Sequence, residues 1–195
     1  MTGPAVKQRL RAILAADAAG FSRLMAQDEH ATVTALDAAR QVFRAQIEAQ
    51  QGRVIDMAGD SVLAVFETAT GAVAAALAVQ QELATASVGS APERRMHFRI
   101  GVHLGDVIEK PDGTVYGDGV NVASRLEGLA QPGGITVSDS VRGVVSGRVV
   151  ATFTDQGEQT LKNIARPIRA FAIDLGLPPT AAIATTAKDP AQVTR

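Results

Sequence analysis

Cysteine is absent from the 195-residue sequence, which excludes disulfide bonds and thiolate metal sites and fits a cytoplasmic protein. No apolar run is long enough to span a bilayer, and residues 1–7 lack the apolar segment of a signal peptide. The only histidines, His30, His97 and His103, do not have the spacing of a metal site. We therefore expect any bound metal to be a hard cation held by carboxylates.

An excess of either charge is also lacking, because 19 basic residues stand against 20 acidic ones. This balance argues against a broad field that would recruit nucleic acid or an anionic membrane. Hydrophobic residues make up 46% of the chain, enough for a sizeable core, and the length fits one domain. We expect this domain over residues 9–177, between an N-terminal lead (1–8) and a flexible C-terminal tail or linker (178–195).

Hydrophobic periodicity predicts alternating strands and helices. Strands are predicted at residues 9–16, 53–57, 61–66, 96–108, 135–137, 149–153 and 168–173. Helices are predicted at residues 28–50, 72–83 and 138–145, with a helical turn at 21–25 and a further helix after 117. Either Thr68 or Thr70 can cap the second long helix. The order predicts an α+β fold with a ferredoxin-like βαββαβ core and additional C-terminal elements, its helices packed on one face of an antiparallel sheet.

Residues 116–127 (YGDGVNVASRLE) read as a glycine-punctuated turn that continues into the helix. Asn121 and Arg125 are four residues apart, so a helix places them on the same face. An amide and a guanidinium at a helix start, beside free backbone N–H groups, can bind a phosphate and its sugar. The same pattern fits an ordinary turn and helix with a solvated polar face, and these residues alone do not decide between the two.

Two aspartates stand at the ends of apolar segments. Asp17 ends the first predicted strand, and Asp60 lies in the tight turn between the second and third. If those two strands flank the first, both carboxylates reach one end of the sheet, where they suit Mg²⁺ or Mn²⁺ and a phosphate-bearing substrate. A lone turn aspartate more often caps backbone N–H groups, so neither residue is assigned on its own.

Four segments, taken in order, resemble the class III nucleotidyl cyclase catalytic domain, in its threonine-bearing bacterial-type subgroup. They are residues 12–22 (AILAADAAGFS), 59–66 (GDSVLAVF), 116–127 and 161–164 (LKNI). The resemblance extends over roughly residues 9–175. Each segment alone is a weak signal, but four with family-like order and spacing are a strong one.

The resemblance implies that two Mg²⁺ or Mn²⁺ ions are held by Asp17, Asp60 and the backbone carbonyl of Ala18. One ion would lower the pKa of the ribose 3′-hydroxyl, and the other would neutralise the triphosphate. The hydroxyl would attack the α-phosphorus in line, so that pyrophosphate leaves and a 3′,5′-cyclic nucleotide forms.

The resemblance also implies a role for five further positions. Asn121 would orient the ribose, and Arg125 would stabilise the charge that develops on the α-phosphoryl oxygens. Lys162 would hold the terminal phosphates, and backbone N–H groups around Phe21 and Ser22, at a helix start, would also meet phosphate. In this family the sites lie at a head-to-tail homodimer interface, with the metal aspartates from one protomer and the base-reading residues, Asn121, Arg125 and Lys162 from the other.

The sequence departs from the family pattern where the base is read. Adenine-specific members usually carry a lysine four residues before the second metal aspartate, and here that position is Asp56. Thr114, seven residues before Asn121, matches the threonine-bearing subgroup, whose members are largely adenylate cyclases. Asp56 can accept from guanine N1–H and its 2-amino group, whereas an ionised carboxylate cannot donate to adenine.

Local chemistry thus favours GTP and subgroup resemblance favours ATP, and we expect ATP by a narrow margin. Arg53 as a substitute donor, loose base selection, and an Asp56 that is solvated without touching a base all stay open. A further alternative is a dimerising nucleotide sensor without turnover, although the intact set of predicted site residues argues against it. The sequence lacks a P-loop motif and a basic groove for a nucleic-acid template, which argues against P-loop NTPases and polymerases.

Overall fold

The computed structural model describes residues 7–176, and within them a sheet of eight strands is combined with five α-helices. The predicted tail lies outside the described residues. The strands are β1 (Lys7–Ala18), β2 (Arg53–Asp56), β3 (Ser61–Phe66), β4 (Phe98–Glu109), β5 (Val115–Tyr116), β6 (Ile135–Ser138), β7 (Thr152–Gln159) and β8 (Ile168–Asp174). The helices are α1 (Phe21–Gln27), α2 (Glu29–Ala49), α3 (Ala69–Ala86), α4 (Asp118–Leu129) and α5 (Asp139–Val145).

The sheet has the order β2-β3-β1-β4-β6-β8-β7, and the short β5 pairs with the end of β4. β1 is central and runs antiparallel to both of its neighbours, β3 and β4. The α+β class is confirmed, but the prediction of an antiparallel sheet is wrong for one pair, because β4 and β6 run parallel. A parallel pair needs a crossover connection, and α4 supplies it between β4 and β6.

The helices pack on both faces of the sheet, so the prediction that they share one face is wrong. Side chains of β1 alternate between the faces: Ala12, Leu14 and Ala16 enter the large core beneath α2, α3 and α5. Ile13 and Ala15 enter a second core that includes Ala123 of α4. β1 therefore reads as a continuous apolar run rather than an alternating one, as expected for a strand buried on both sides.

The long helices begin at side-chain caps. The Asp28 carboxylate accepts from the Ala31 N–H, and α2 then buries residues at intervals of three and four, including Leu36, Phe43 and Ile47. Thr68, rather than Thr70, caps α3 by accepting from the Gly71 N–H. Among residues 7–176, no helix is both long and apolar enough to cross a membrane.

The predicted strand at residues 149–153 is wrong in extent, because β7 covers Thr152–Gln159. β7 is the edge strand, pairs with β8 alone and is rich in polar residues, so its sequence carries no apolar alternation. An ion pair between Asp155 and Arg169 joins it to β8. The two-residue β5 escaped prediction because a bridge of that length has no periodicity to detect.

α4 lies directly against β4 because Gly101 has no side chain. A Cβ at this position would stand 2.2 Å from the carbonyl oxygen of Ala123 and 2.3 Å from the amide nitrogen of Glu127. Both contacts are with helix backbone, which cannot yield without moving α4 as a whole. Gly101 therefore sets the depth at which α4 and its polar side chains lie on the sheet.

Gly101→Ala is expected to destabilise the domain by about 1–3 kcal/mol through this overpacking. The matched control is Gly128→Ala on α4 itself, where an added Cβ meets nothing within 4 Å. The control should be neutral or should stabilise by up to about 1 kcal/mol, since alanine is the better helix former. Urea unfolding of both variants measures the difference, and equal midpoints would contradict this description of the β4–α4 contact.

Candidate active site

Strand pairing brings Asp17 and Asp60 to the same end of the sheet. Asp17 in β1 lies opposite Ser61, the first residue of β3, and Asp60 precedes Ser61 in the turn. The Ala18 N–H donates to the backbone oxygen of Asp60 at 3.2 Å, which ties the turn to β1. Both aspartates are partly exposed, so a ligand can reach their carboxylates from solvent.

Arg99 is the direct partner of Asp17. The two residues face each other across the β1–β4 pair, and the guanidinium donates from Nε to Oδ1 at 2.9 Å and from Nη2 to Oδ2 at 2.5 Å. This bidentate hydrogen bonding raises the pKa of Arg99. Arg99 was not among the predicted site residues, although its charge interrupts an otherwise apolar stretch at residues 98–102, which was the available signal.

Glu127 is the second residue that sequence reasoning missed, although it ends the glycine-punctuated stretch. Its side chain is only 14% exposed, and its Oε1 lies 4.0 Å from Nη2 of Arg99. Burial, followed by the negative charges of Asp17 and Asp60, raises the pKa of Glu127 to about 8. Three carboxyl groups therefore share one arginine, which leaves an excess of acidic groups.

These residues fit a divalent cation of the magnesium type. The donors are hard carboxylate oxygens, and the acidic cluster provides the charge that attracts a cation. Within residues 7–176 no group of three or more acidic or histidine side chains is arranged to hold a metal by itself. Mg²⁺ is commonly held by one or two carboxylates together with substrate phosphates, so the Asp17–Asp60 pair suffices. Because Arg99 engages both oxygens of Asp17, cation binding there requires this fork to shift.

Asp56 and Thr114 line one cavity of about 460 Å³ between β2 and the segment that leads into β5. Arg53 lines the same cavity, and its Nη1 donates to the Gly113 carbonyl at 2.9 Å. The Nη2 of Arg53 also lies 3.6 Å from Oε1 of Glu109. The cavity therefore offers a carboxylate, a hydroxyl and a guanidinium that is already engaged on both of its terminal nitrogens.

Asn121, Arg125 and Lys162 are exposed, and within residues 7–176 their side chains make no hydrogen bond or ion pair. They project from α4 and from the β7–β8 loop, which share a small apolar cluster. Its buried members are Val122, Leu126, Leu161 and Ala170. The cluster fixes the loop that carries Lys162 against α4. The described part of the chain therefore holds three sets of predicted site residues, the Asp17–Asp60 pair, the Asp56–Thr114 cavity and these three exposed side chains, with no hydrogen bond or ion pair between the sets.

The start of α1 follows Asp17 closely. Gly20 adopts a left-handed conformation with φ of 68°, and no side chain caps the helix. Phe21 is half-buried and Ser22 is exposed at the first two helical positions. The first N–H groups of a helix have no intrahelical acceptor, so those of Phe21 and Ser22 are available to an external one.

The raised pKa of Glu127 predicts how stability depends on pH in metal-free protein. Between pH 4.5, the ordinary value, and about 8, the folded state keeps a proton that the unfolded state has lost. The free energy of unfolding should therefore fall as pH rises through this window, with a slope of up to about 1.4 kcal/mol per pH unit. Glu127→Gln should remove this component. Urea titrations in EDTA from pH 5 to 8 test it, and parallel curves for both proteins would contradict it.

Comparison with known proteins identifies the family. Residues 7–174 match the family described as the adenylate and guanylate cyclase catalytic domain. A Rhizobium meliloti protein, provisionally named adenylate cyclase 3, is 44% identical over 172 residues, which cover 88% of this chain and 29% of that protein. The chain thus spans less than a third of this curated relative.

Solved structures give the same family. The adenylate/guanylate cyclase/hydrolase from Silicibacter pomeroyi is 40% identical with a TM-score of 0.81, covering 87% of this chain and 98% of that one. The adenylyl cyclase CyaB from P. aeruginosa, at 20% identity and a TM-score of 0.77, covers 87% of this chain and 96% of that one and shares the fold. With a family match over most of its length, the chain belongs to the class III nucleotidyl cyclases, as a member of the adenylate and guanylate cyclase catalytic domain family.

Proposed function

We propose that this domain works as a homodimeric adenylate cyclase that converts ATP into 3′,5′-cyclic AMP and pyrophosphate. The observation that carries the proposal is the Asp17–Asp60 pair at the end of β1. The pair lies in a cluster in which acidic groups outnumber the single arginine that contacts them. A cytoplasmic location is part of the proposal and rests on the absence of cysteine.

Asp17, Asp60 and the backbone carbonyl of Ala18 would hold the metal. Two Mg²⁺ or Mn²⁺ ions bound there supply acidification of the ribose 3′-hydroxyl and neutralisation of the triphosphate. With a cation at Asp17, the Arg99 fork would have to leave the Asp17 oxygens, and its positive charge would then lie beside the incoming phosphates. The backbone N–H groups of Phe21 and Ser22 lie close in sequence to Asp17 and have no intrahelical acceptor. They would donate hydrogen bonds to phosphate oxygens.

The remaining roles require a second protomer. Asn121 would orient the ribose, Arg125 would stabilise charge on the α-phosphoryl oxygens, and Lys162 would hold the terminal phosphates. The exposure of these three side chains and their lack of partners within residues 7–176 support a site completed between chains. A head-to-tail homodimer gives two equivalent sites, each with its metal half from one protomer.

ATP is favoured as the substrate by the names of the related proteins and by Thr114, which matches the threonine-bearing subgroup. Thr114 can donate or accept at the purine edge, as adenine requires. GTP is the second candidate, and the observation that favours it is Asp56 in the same cavity. An ionised carboxylate accepts hydrogen bonds from guanine N1–H and the 2-amino group, but it cannot donate a hydrogen bond to adenine N1.

Mixed dimers test the shared site. Asp17→Ala and Arg125→Ala should each reduce activity by at least about a hundredfold, since one loses a metal ligand and the other a transition-state donor. A mixture of the two proteins should recover up to about a quarter of wild-type activity, because a random half of the dimers retain one intact site of two. Cyclic nucleotide formation with Mn²⁺ is the measurement. Absence of recovery, with mixed dimers shown by native mass spectrometry, would contradict the proposal.

Product analysis with ATP and GTP offered in parallel tests the base. We expect cyclic AMP to predominate in the wild type, and Asp56→Lys to increase the preference for ATP by about tenfold or more, because it adds a donor for adenine and removes the acceptor for guanine. The matched control is Glu48→Lys, an exposed acidic residue on α2 that lies outside the cavity and whose side chain makes no hydrogen bond or ion pair within residues 7–176. Predominance of cyclic GMP would make the domain a guanylate cyclase, and formation of neither product would indicate a nucleotide sensor.

A further inference from the structure

Arg40, on α2, reaches across to the turn that carries Asp60. Its Nη2 donates to the carbonyl oxygen of Gly59 at 2.5 Å and to that of Met57 at 3.3 Å. The two carbonyls lie on either side of Ala58, so one guanidinium bridges the whole turn. Arg40 thereby connects a helix of the large core to the residue immediately before Asp60.

The turn has few other restraints of its own. Gly59 is exposed with a left-handed φ of 57°, and a single backbone hydrogen bond, from Ser61 N–H to Ala58 O at 3.1 Å, closes it. The Asp60 side chain makes no hydrogen bond within residues 7–176. Without Arg40, the position of the Asp60 carboxylate would depend on this short glycine turn and on the one hydrogen bond from the Ala18 N–H to the Asp60 carbonyl oxygen.

The guanidinium of Arg40 is held at both of its terminal nitrogens. Arg40 follows Ala39 and precedes Phe43, which are both buried in the large core, and its side chain is 29% exposed. Nη1 donates to Oδ1 of Asp37 one turn earlier on α2, at 3.3 Å. The Nε–H of Arg40 is buried and has no hydrogen-bond partner in residues 7–176. In this orientation that group is therefore shielded from solvent.

We propose that Arg40 is a positioning residue for the metal site, which holds the Met57–Gly59 carbonyls so that the Asp60 carboxylate stays fixed beside that of Asp17. This inference rests on the proposed metal-binding role of Asp60. Residues behind a metal ligand affect affinity because they reduce the freedom that the ligand would lose on binding. In this role Arg40 would act through the Met57 and Gly59 carbonyls and not by touching the metal or the nucleotide.

Arg40→Gln removes the bridge, and Arg40→Lys keeps the charge but loses the planar fork that spans two carbonyls. The matched control is Arg44→Gln, one turn further along α2, where the side chain is exposed and makes no hydrogen bond within residues 7–176. The two measurements are hydrogen exchange of the turn peptide and Mn²⁺ binding by electron paramagnetic resonance. Both measurements are made without denaturant, where all variants are folded, and with one equivalent per protomer of an ATP analogue that lacks the 3′-hydroxyl, because the proposed site shares its cations with substrate phosphates.

In Arg40→Gln we expect faster exchange in the turn and Mn²⁺ affinity weakened by about tenfold, the lower end of the range for groups that support metal ligands. Arg40→Lys should restore part of the affinity, and Arg44→Gln should leave both readouts within about twofold of the wild type. Unchanged Mn²⁺ affinity in Arg40→Gln would overturn the proposal, whether or not exchange in the turn increases, since the arginine would then serve only as a helix–hairpin tie.

Asp60→Asn in the same assay separates this inference from the proposed function. If Asp60→Asn loses Mn²⁺ binding and Arg40→Gln does not, the positioning role fails and the metal site stands. If Asp60→Asn binds Mn²⁺ as the wild type does, Asp60 is not a metal ligand, and both the metal assignment and the role of Arg40 are overturned.

Discussion

The arrangement of the site depends on the register of β1 between β3 and β4. That register sets Asp17 opposite Arg99 on one side and beside the turn of Asp60 on the other. Because β1 is buried on both faces, a shift of one residue would exchange its two sets of core side chains and abolish both packings. Burial of both faces of β1 therefore keeps Asp17 and the turn of Asp60 at the same end of the sheet.

The charges at this end of the sheet determine what the site can bind. Asp17, Asp60 and Glu127 converge around Arg99, which among residues 7–176 is the one cation paired with them, and the burial of Glu127 beside two aspartates favours its protonated form. The metal-free chain thus tolerates its acidic cluster with one arginine and one retained proton, and a divalent cation would replace the arginine at Asp17. The groups proposed to receive the α-phosphate and terminal phosphates lie elsewhere on the surface, on α4 and on the loop it holds. A chain with two separated half-sites is suited to function as a pair.

Much of this follows from the sequence, and the exceptions have physical causes. The apolar runs that end at Asp17 and begin after Asp60 marked β1 and β3, and the spacing of Leu36, Phe43 and Ile47 marked α2, because local burial leaves a periodic trace. The side of the sheet on which α4 packs and the parallel β4–β6 pair were not predictable, since both depend on how distant segments meet. Arg99 and Glu127 were missed for the same reason: their importance lies in a cross-strand register and a helix–sheet contact through Gly101, not in their neighbours along the chain.

The central claim is that one protomer holds the metal, together with the N–H groups of Phe21 and Ser22, and that the other supplies Asn121, Arg125 and Lys162. A crystal structure of the chain with Mn²⁺ and an ATP analogue that lacks the 3′-hydroxyl and so cannot cyclise, using the anomalous signal of manganese, tests it most directly. We predict manganese peaks between Asp17 and Asp60, the Arg99 fork released from Asp17, and a triphosphate that contacts Arg125 and Lys162 of a second protomer. Manganese bound away from the two aspartates, or a nucleotide whose phosphates contact a single chain throughout, would contradict the account.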